Sequence, residues 1–265
     1  IFVLCFAVSM PRGFMPIFIM KQAAKEQLFG LSYELLLSIA LSAEVLFNAI
    51  FSFGGEFIFR IMGRRKASVL GSALFVAGMS VRAIYPSILS VIVGNCIMGA
   101  GGGILILAVQ VLLAESGGAE KEEGFAGYTA SSLSGTNCGV VFGAFLINWM
   151  DYQAIFAVIA LISVYLVIYA LKYIGDGKKV QGSERKEIST VTTAGFLLSS
   201  RIIAYYIGIV IPLVASGYFL SYLFPILASG FGISETNIGY ASLLNGLCII
   251  CLGNVLTSWF SKHLK

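Results

Sequence analysis

The chain has 265 residues, of which 58% are hydrophobic and only 11% charged, with a formal net charge of +4. Soluble domains carry roughly 25% charged residues, so a water-soluble enzyme or binding module is excluded and an integral membrane protein is indicated. The basic residues fall in short turns between apolar runs and form no face or stripe, which excludes a nucleic-acid partner and leaves the lipid bilayer.

Apolar runs of about 17 to 25 residues suit membrane-crossing helices. Continuous runs, rather than short alternating strands, argue against a barrel. Eight are predicted, over 1–20, 33–59, 67–84, 86–114, 124–150, 152–174, 201–228 and 236–261. The first lacks a basic leader and a small-residue cleavage site, so it reads as a span and not a signal peptide. Because Ile1 already lies inside that run, residues are expected to be missing at the start.

Between the second and third runs lies Arg60-Ile61-Met62-Gly63-Arg64-Arg65-Lys66, a tight basic turn that the positive-inside rule assigns to the cytoplasm. Alternating from there puts thirteen of the 17 Lys and Arg residues in inside connections. Lys21, Lys25 and Arg82 go outside, and Arg12 lies within a span. This asymmetry predicts a multi-pass protein of the cell membrane with its N-terminus and central linker cytoplasmic. The linker, 175–200, carries Asp176, Lys178, Lys179, Glu184, Arg185, Lys186 and Glu187. Six spans precede it (1–174) and two follow (201–265), as if two six-helix halves were joined and the second cut short. An internal repeat agrees: Phe29-Gly30-Leu31-Ser32 opens the second span and Phe231-Gly232-Ile233-Ser234 the eighth, and the same offset carries Arg60 onto Lys262.

Several motifs follow from these spans. Gly55, Arg60, Gly63, Arg64, Arg65 and Lys66 surround the basic turn, with Glu56 one helical turn before Arg60. The fourth span holds Gly94-Asn95-Cys96-Ile97-Met98-Gly99-Ala100-Gly101-Gly102-Gly103. The fifth has Gly135, Gly139 and Gly143 at four-residue spacing, a flat stripe for close helix packing. Together these resemble the major facilitator superfamily of secondary transporters, over the whole chain. The resemblance implies an all-α helical bundle, here a six-helix N-terminal half plus the first two helices of the C-terminal half, or about eight of twelve. It also implies a central cavity between the halves and alternating access. Three departures stand out: Phe59 occupies the place of the acidic residue before Arg60, Asn95 stands where an Arg is usual, and the Pro that usually follows the fifth-helix glycines is absent.

Arg12 and Glu44 are the sharpest candidates for substrate or coupling work, near the middles of antiparallel first and second spans. A lone charge there costs roughly 2.5 to 3.5 kcal/mol, so each needs a partner or a wet cavity. Two readings remain open: Arg12 receives an anionic group with Glu44 as counter-ion or proton acceptor, or the two staple adjacent helices as a structural ion pair. Asn95, Gln110, Asn137 and Asn245 are in-span polar residues that suit either a solute or interhelical bonding. Tyr218 and Tyr222 of the seventh span suit either substrate binding or interfacial anchoring. Pro11 and Pro16 bracket Arg12 and bend its helix.

The five cysteines all sit in apolar stretches, and Cys248-x-x-Cys251 has neither a second pair nor a nearby His, so packing roles are expected and no metal or cofactor. Glu115, Glu120, Glu122 and Glu123 read as a solvated inside loop. No Ser/His pairing appears in the spans, which speaks against an intramembrane enzyme. The predicted function is movement of a small, anionic or amphipathic solute, with a coupling proton or ion as a further partner. The alternative is a transporter-like sensor or scaffold module joined to a signalling domain.

Overall fold

The computed structural model describes residues 1–23, 31–85, 87–115, 118–175 and 199–234, together with Asn237, Ile238, Tyr240, Ala241, Leu244, Asn245 and Cys248. The described chain is helical, and its breaks follow from individual residues. The first span is α1 (Phe2–Ser9), a 3-10 turn (Met10–Gly13) and α2 (Met15–Ala23), bent by 44°. Pro11 and Pro16 remove the N–H groups that the Ala7 and Arg12 carbonyls would accept, so the ladder opens there. The Phe14 N–H instead donates to the Pro11 carbonyl at 3.1 Å.

Helices α3 (Tyr33–Met62) and α4 (Arg64–Ile84) are separated by Gly63 alone. Its φ of 79° lies in the left-handed region that glycine adopts without a Cβ penalty. Helix α4 ends where Tyr85, in extended conformation, precedes Pro86. Then come α5 (Ile88–Glu115), α6 (Gly118–Leu146) and α7 (Tyr152–Tyr173). After the linker the chain runs as α8 (Ser200–Tyr205), a π segment (Tyr206–Val210), α9 (Ile211–Tyr218), a second π segment (Phe219–Leu223) and α10 (Phe224–Gly230). Each π segment contains the carbonyl, Gly208 or Ser221, that loses its donor because Pro212 or Pro225 stands four residues later.

Helix α5 packs against both α3 and α4, α4 also packs on α7, and α1 lies along α6. A continuous apolar core joins them, with Phe14, Phe75, Met79, Met98, Phe156 and Ile159 among its buried members. Both ends of α7 are tied by cations from other helices. Lys21 Nζ donates to the Tyr152 hydroxyl at 3.1 Å. Arg65 Nη2 donates to the Leu171 carbonyl at 2.6 Å, where a cation complements the negative end of the helix. The outer faces are apolar and open, Phe53 being 90% exposed, as befits surfaces solvated by lipid and not by water. Five described helices are long and apolar enough to cross a membrane, and six if the bent first pair counts as one.

Several boundaries differ from the sequence expectation. Helix α3 runs on to Met62 and α4 begins at Arg64, so the basic turn is one residue long and its cations stand on helix ends. Helix α6 starts at Gly118 and ends at Leu146, where a run over 124–150 was expected. Glu120, Glu122 and Glu123 are therefore in its opening turns and not in a loop, a position the helix dipole favours for acids. Arg82, assigned to an outside connection, is 1% exposed in the last turn of α4. Most of the linker and of the eighth span lies outside the described residues, and so do Phe29 and Gly30 of the repeat. What is described of the repeat matches in geometry: Leu36 N–H donates to Ser32 O, and Ile238 N–H to Ser234 O, both at 3.1 Å. The offset of 202 residues thus pairs two positions, Leu36 and Ile238, that are both buried.

Candidate functional site

The bend in the first span exposes Arg12 to the middle of the bundle. A cavity of about 370 Å³ opens there, walled by α1 and its 3-10 turn, α3, α5 and α6, with Phe75 of α4 behind. This is within the span of ligand-sized pockets, about 300 to 1,000 Å³. Arg12 and Glu44 both line it. They are half-buried, and among the described residues no ion pair or hydrogen bond joins them. Arg12 Nε is buried without a hydrogen-bond partner, and so is the hydroxyl of Ser9, one turn earlier on the same wall.

The walls come from spacings of four. On α3, Glu44 is followed one turn later by Asn48. On α6, Tyr128, Ser132 and Thr136 form a polar stripe facing the cavity, and Ser132 Oγ lies 3.3 Å from Cys5 Sγ. The neighbouring stripe on α6 is Gly135, Gly139 and Gly143. A Cβ at these positions would collide with the carbonyls of Phe2, Phe6 and Met10 in turn. The glycines thus let α1 lie directly on α6, which brings Ser9 and Arg12 beside the polar stripe. On α5, Gly99 and Gly103 do the same for α3, against the backbone at Glu44 and Asn48. From beyond the linker, Tyr218 at the end of α9 reaches the same space.

The other expected site residues are distributed differently. Asn95 is 2% exposed and makes structural bonds: its Nδ2 donates to the Ala40 carbonyl at 2.7 Å, and its Oδ1 accepts from Arg82 Nη1 at 2.9 Å. It reaches a small crevice that also touches Arg12, Glu44 and Arg82. Gln110 is exposed on α5, beside Tyr128. Asn137 and Asn245 are half-buried and do not line the cavity among the described residues. The side chain of Tyr222 lies outside the description. In the basic-turn motif, Gly55 packs on Leu107. Glu56 and Arg60 are exposed one turn apart, and Arg64 and Arg65 are half-buried.

Sequence reasoning missed Ser9, Asn48, Tyr128, Ser132, Thr136 and Arg82. The four-residue polar spacing on α6 was the available signal. Arg82 carried none, since a cation at a span end is equally placed to point outward. Its guanidinium is instead enclosed by the Met79 and Met98 sulfurs, 2.6 and 2.8 Å from Nη2, and the Phe156 ring, 5.2 Å from Cζ.

The family model of the Major Facilitator Superfamily matches residues 1–265. The chain belongs to the major facilitator superfamily. Solved structures agree on the fold. A D-xylose-proton symporter superimposes with a TM-score of 0.64 at 14% identity, over 99% of this chain and 68% of the symporter. A peptide transporter in complex with sulfate gives 0.63 at 17% identity, over 98% of this chain and 66% of the transporter. This superfamily chain therefore spans about two thirds of the length of the structures it matches. No curated protein matches it. Membership makes it a multi-pass membrane protein of a transporter family, and explains why an apolar bundle keeps a ligand-sized cavity with charged groups on its walls.

Proposed function

We propose that the protein moves a small solute across a cell membrane by alternating access, with Arg12 and Glu44 as its charged contacts. The observation that carries this reading is their position on one cavity without an ion pair between them. A structural staple would have closed that pair. In this reading 1–174 form one bundle, 175–200 a cytoplasmic linker, and 201–265 the start of a second bundle.

We infer the conformational state from where the parts touch. Ile17 of α2 meets Phe224 and Ala228 of α10 and Ile238, while the segment Ser200–Tyr218 is unburied throughout. With the basic turn inside, that apolar contact closes the outer end and the cavity faces the cytoplasm. Tyr218 and the 3-10 turn of the first span stand just below the closure, where both broken helices can pivot.

Transport assays on the full-length protein test the charged contacts. Arg12→Gln and Glu44→Gln, each folded and inserted as wild type, are expected to lose at least about tenfold in uptake, as for loss of a charged partner in a partly desolvated site. Two fully active variants would remove the assignment.

A further inference from the structure

The cavity carries two poles of opposite character, and among the described residues no ion pair joins its two charged groups. One pole belongs to the first span: the Arg12 guanidinium with its buried, unpartnered Nε, and the Ser9 hydroxyl, which is fully buried, unpartnered and one turn away. Both are donors with no acceptor, the complement of a carboxylate. The other pole belongs to α3: the Glu44 carboxylate and, one turn on, the Asn48 side chain. It is acceptor-rich, the complement of an ammonium group. The rest of the lining joins apolar side chains, Leu4, Val8, Phe75, Met98 and Ile106, to the Tyr128, Ser132 and Thr136 stripe of α6.

We propose that the solute is a zwitterion of the α-amino-acid type with an apolar side chain, its carboxylate held by Arg12 and Ser9 and its ammonium by Glu44 and Asn48. This rests on the transport reading above and narrows it. A simple anion satisfies Arg12 but sets its own charge near Glu44. A simple amine does the reverse. Only a dipolar solute neutralises both poles at once, and a site built around two charged contacts discriminates sharply against an analogue lacking one of them.

The test uses three probes that share one skeleton: L-leucine, 4-methylpentanoate, which lacks its amine, and 3-methylbutylamine, which lacks its carboxylate. Binding to the purified full-length protein is followed by thermal stabilisation, and exchange by uptake into proteoliposomes. Leucine is expected to bind more than about tenfold tighter than either analogue. In Glu44→Gln, leucine falls to the level of 4-methylpentanoate, whose own binding does not weaken. In Arg12→Gln, leucine falls to the level of 3-methylbutylamine. The proposal is overturned if either analogue binds as tightly as leucine, if Glu44→Gln weakens leucine and 4-methylpentanoate equally, or if none of the three binds. In each of these cases, transport of some other solute by the wild type leaves the broader transport reading standing.

Discussion

Arg82 is a full charge inside the bundle, and its neighbours explain how it is tolerated. The superfamily resemblance leads one to look for a cation on the fourth span, where Asn95 stands instead. Here the guanidinium comes from α4, and Asn95 supplies the oxygen that receives it. A hydrogen bond to a charged group contributes about 1.5 to 3 kcal/mol. Asn95→Ala is therefore expected to destabilise the protein by at least about that amount, whereas Asn95→Asp keeps the acceptor for Arg82 but loses the donor to the Ala40 carbonyl and so recovers only part of the stability; thermal melting in detergent distinguishes them. Equal melting of Asn95→Ala and wild type would mean that Arg82 is anchored without Asn95. The charge pair of the cavity was legible in the sequence because Arg12 and Glu44 stand near mid-span. Arg82 was not, because periodicity gives the depth of a residue in a helix better than the direction of a long side chain at its end. The same limit hid Ser9 and Asn48, small polar groups whose role depends on which neighbours approach them.

At the scale of elements, glycine decides which helices touch. Gly135, Gly139 and Gly143 were readable as a packing stripe from spacing alone, but their partner, the backbone of α1, emerges only in three dimensions. Replacing Gly139 or Gly143 with Leu forces a side chain into the carbonyls of Phe6 or Met10. Such overpacking costs typically 1 to 3 kcal/mol, and more when the obstacle is backbone. The variants are expected to melt earlier and to lose solute binding together, since α1 carries Ser9 and Arg12; a variant that melts early yet binds normally would detach the stripe from the site. Gly63 is a separate case, for its constraint is conformational. Gly63→Ala places a Cβ at φ 79°, a strain of about 1 to 2 kcal/mol, and a wild-type melting point for that variant would contradict the one-residue turn. The prolines, too, were visible in the sequence, but not that two of them would yield π segments and two a 3-10 turn. That choice depends on how neighbouring helices hold the freed carbonyls.

At the scale of the whole molecule, eight apolar runs and the inside bias of the basic residues carried the fold, because bilayer thickness and charge retention act on sequence directly. The inward-facing state proposed above was not legible, since it rests on a contact between distant parts: Ile17 in the first span with Phe224, Ala228 and Ile238. If that contact is the outer gate of an alternating-access cycle, it must open for transport. The most direct measurement is uptake by the full-length double variant Ile17→Cys, Ala228→Cys, with the native cysteines replaced, before and after oxidation. Complete cross-linking is expected to abolish uptake and reduction to restore it. Undiminished uptake by the fully cross-linked protein would contradict the account.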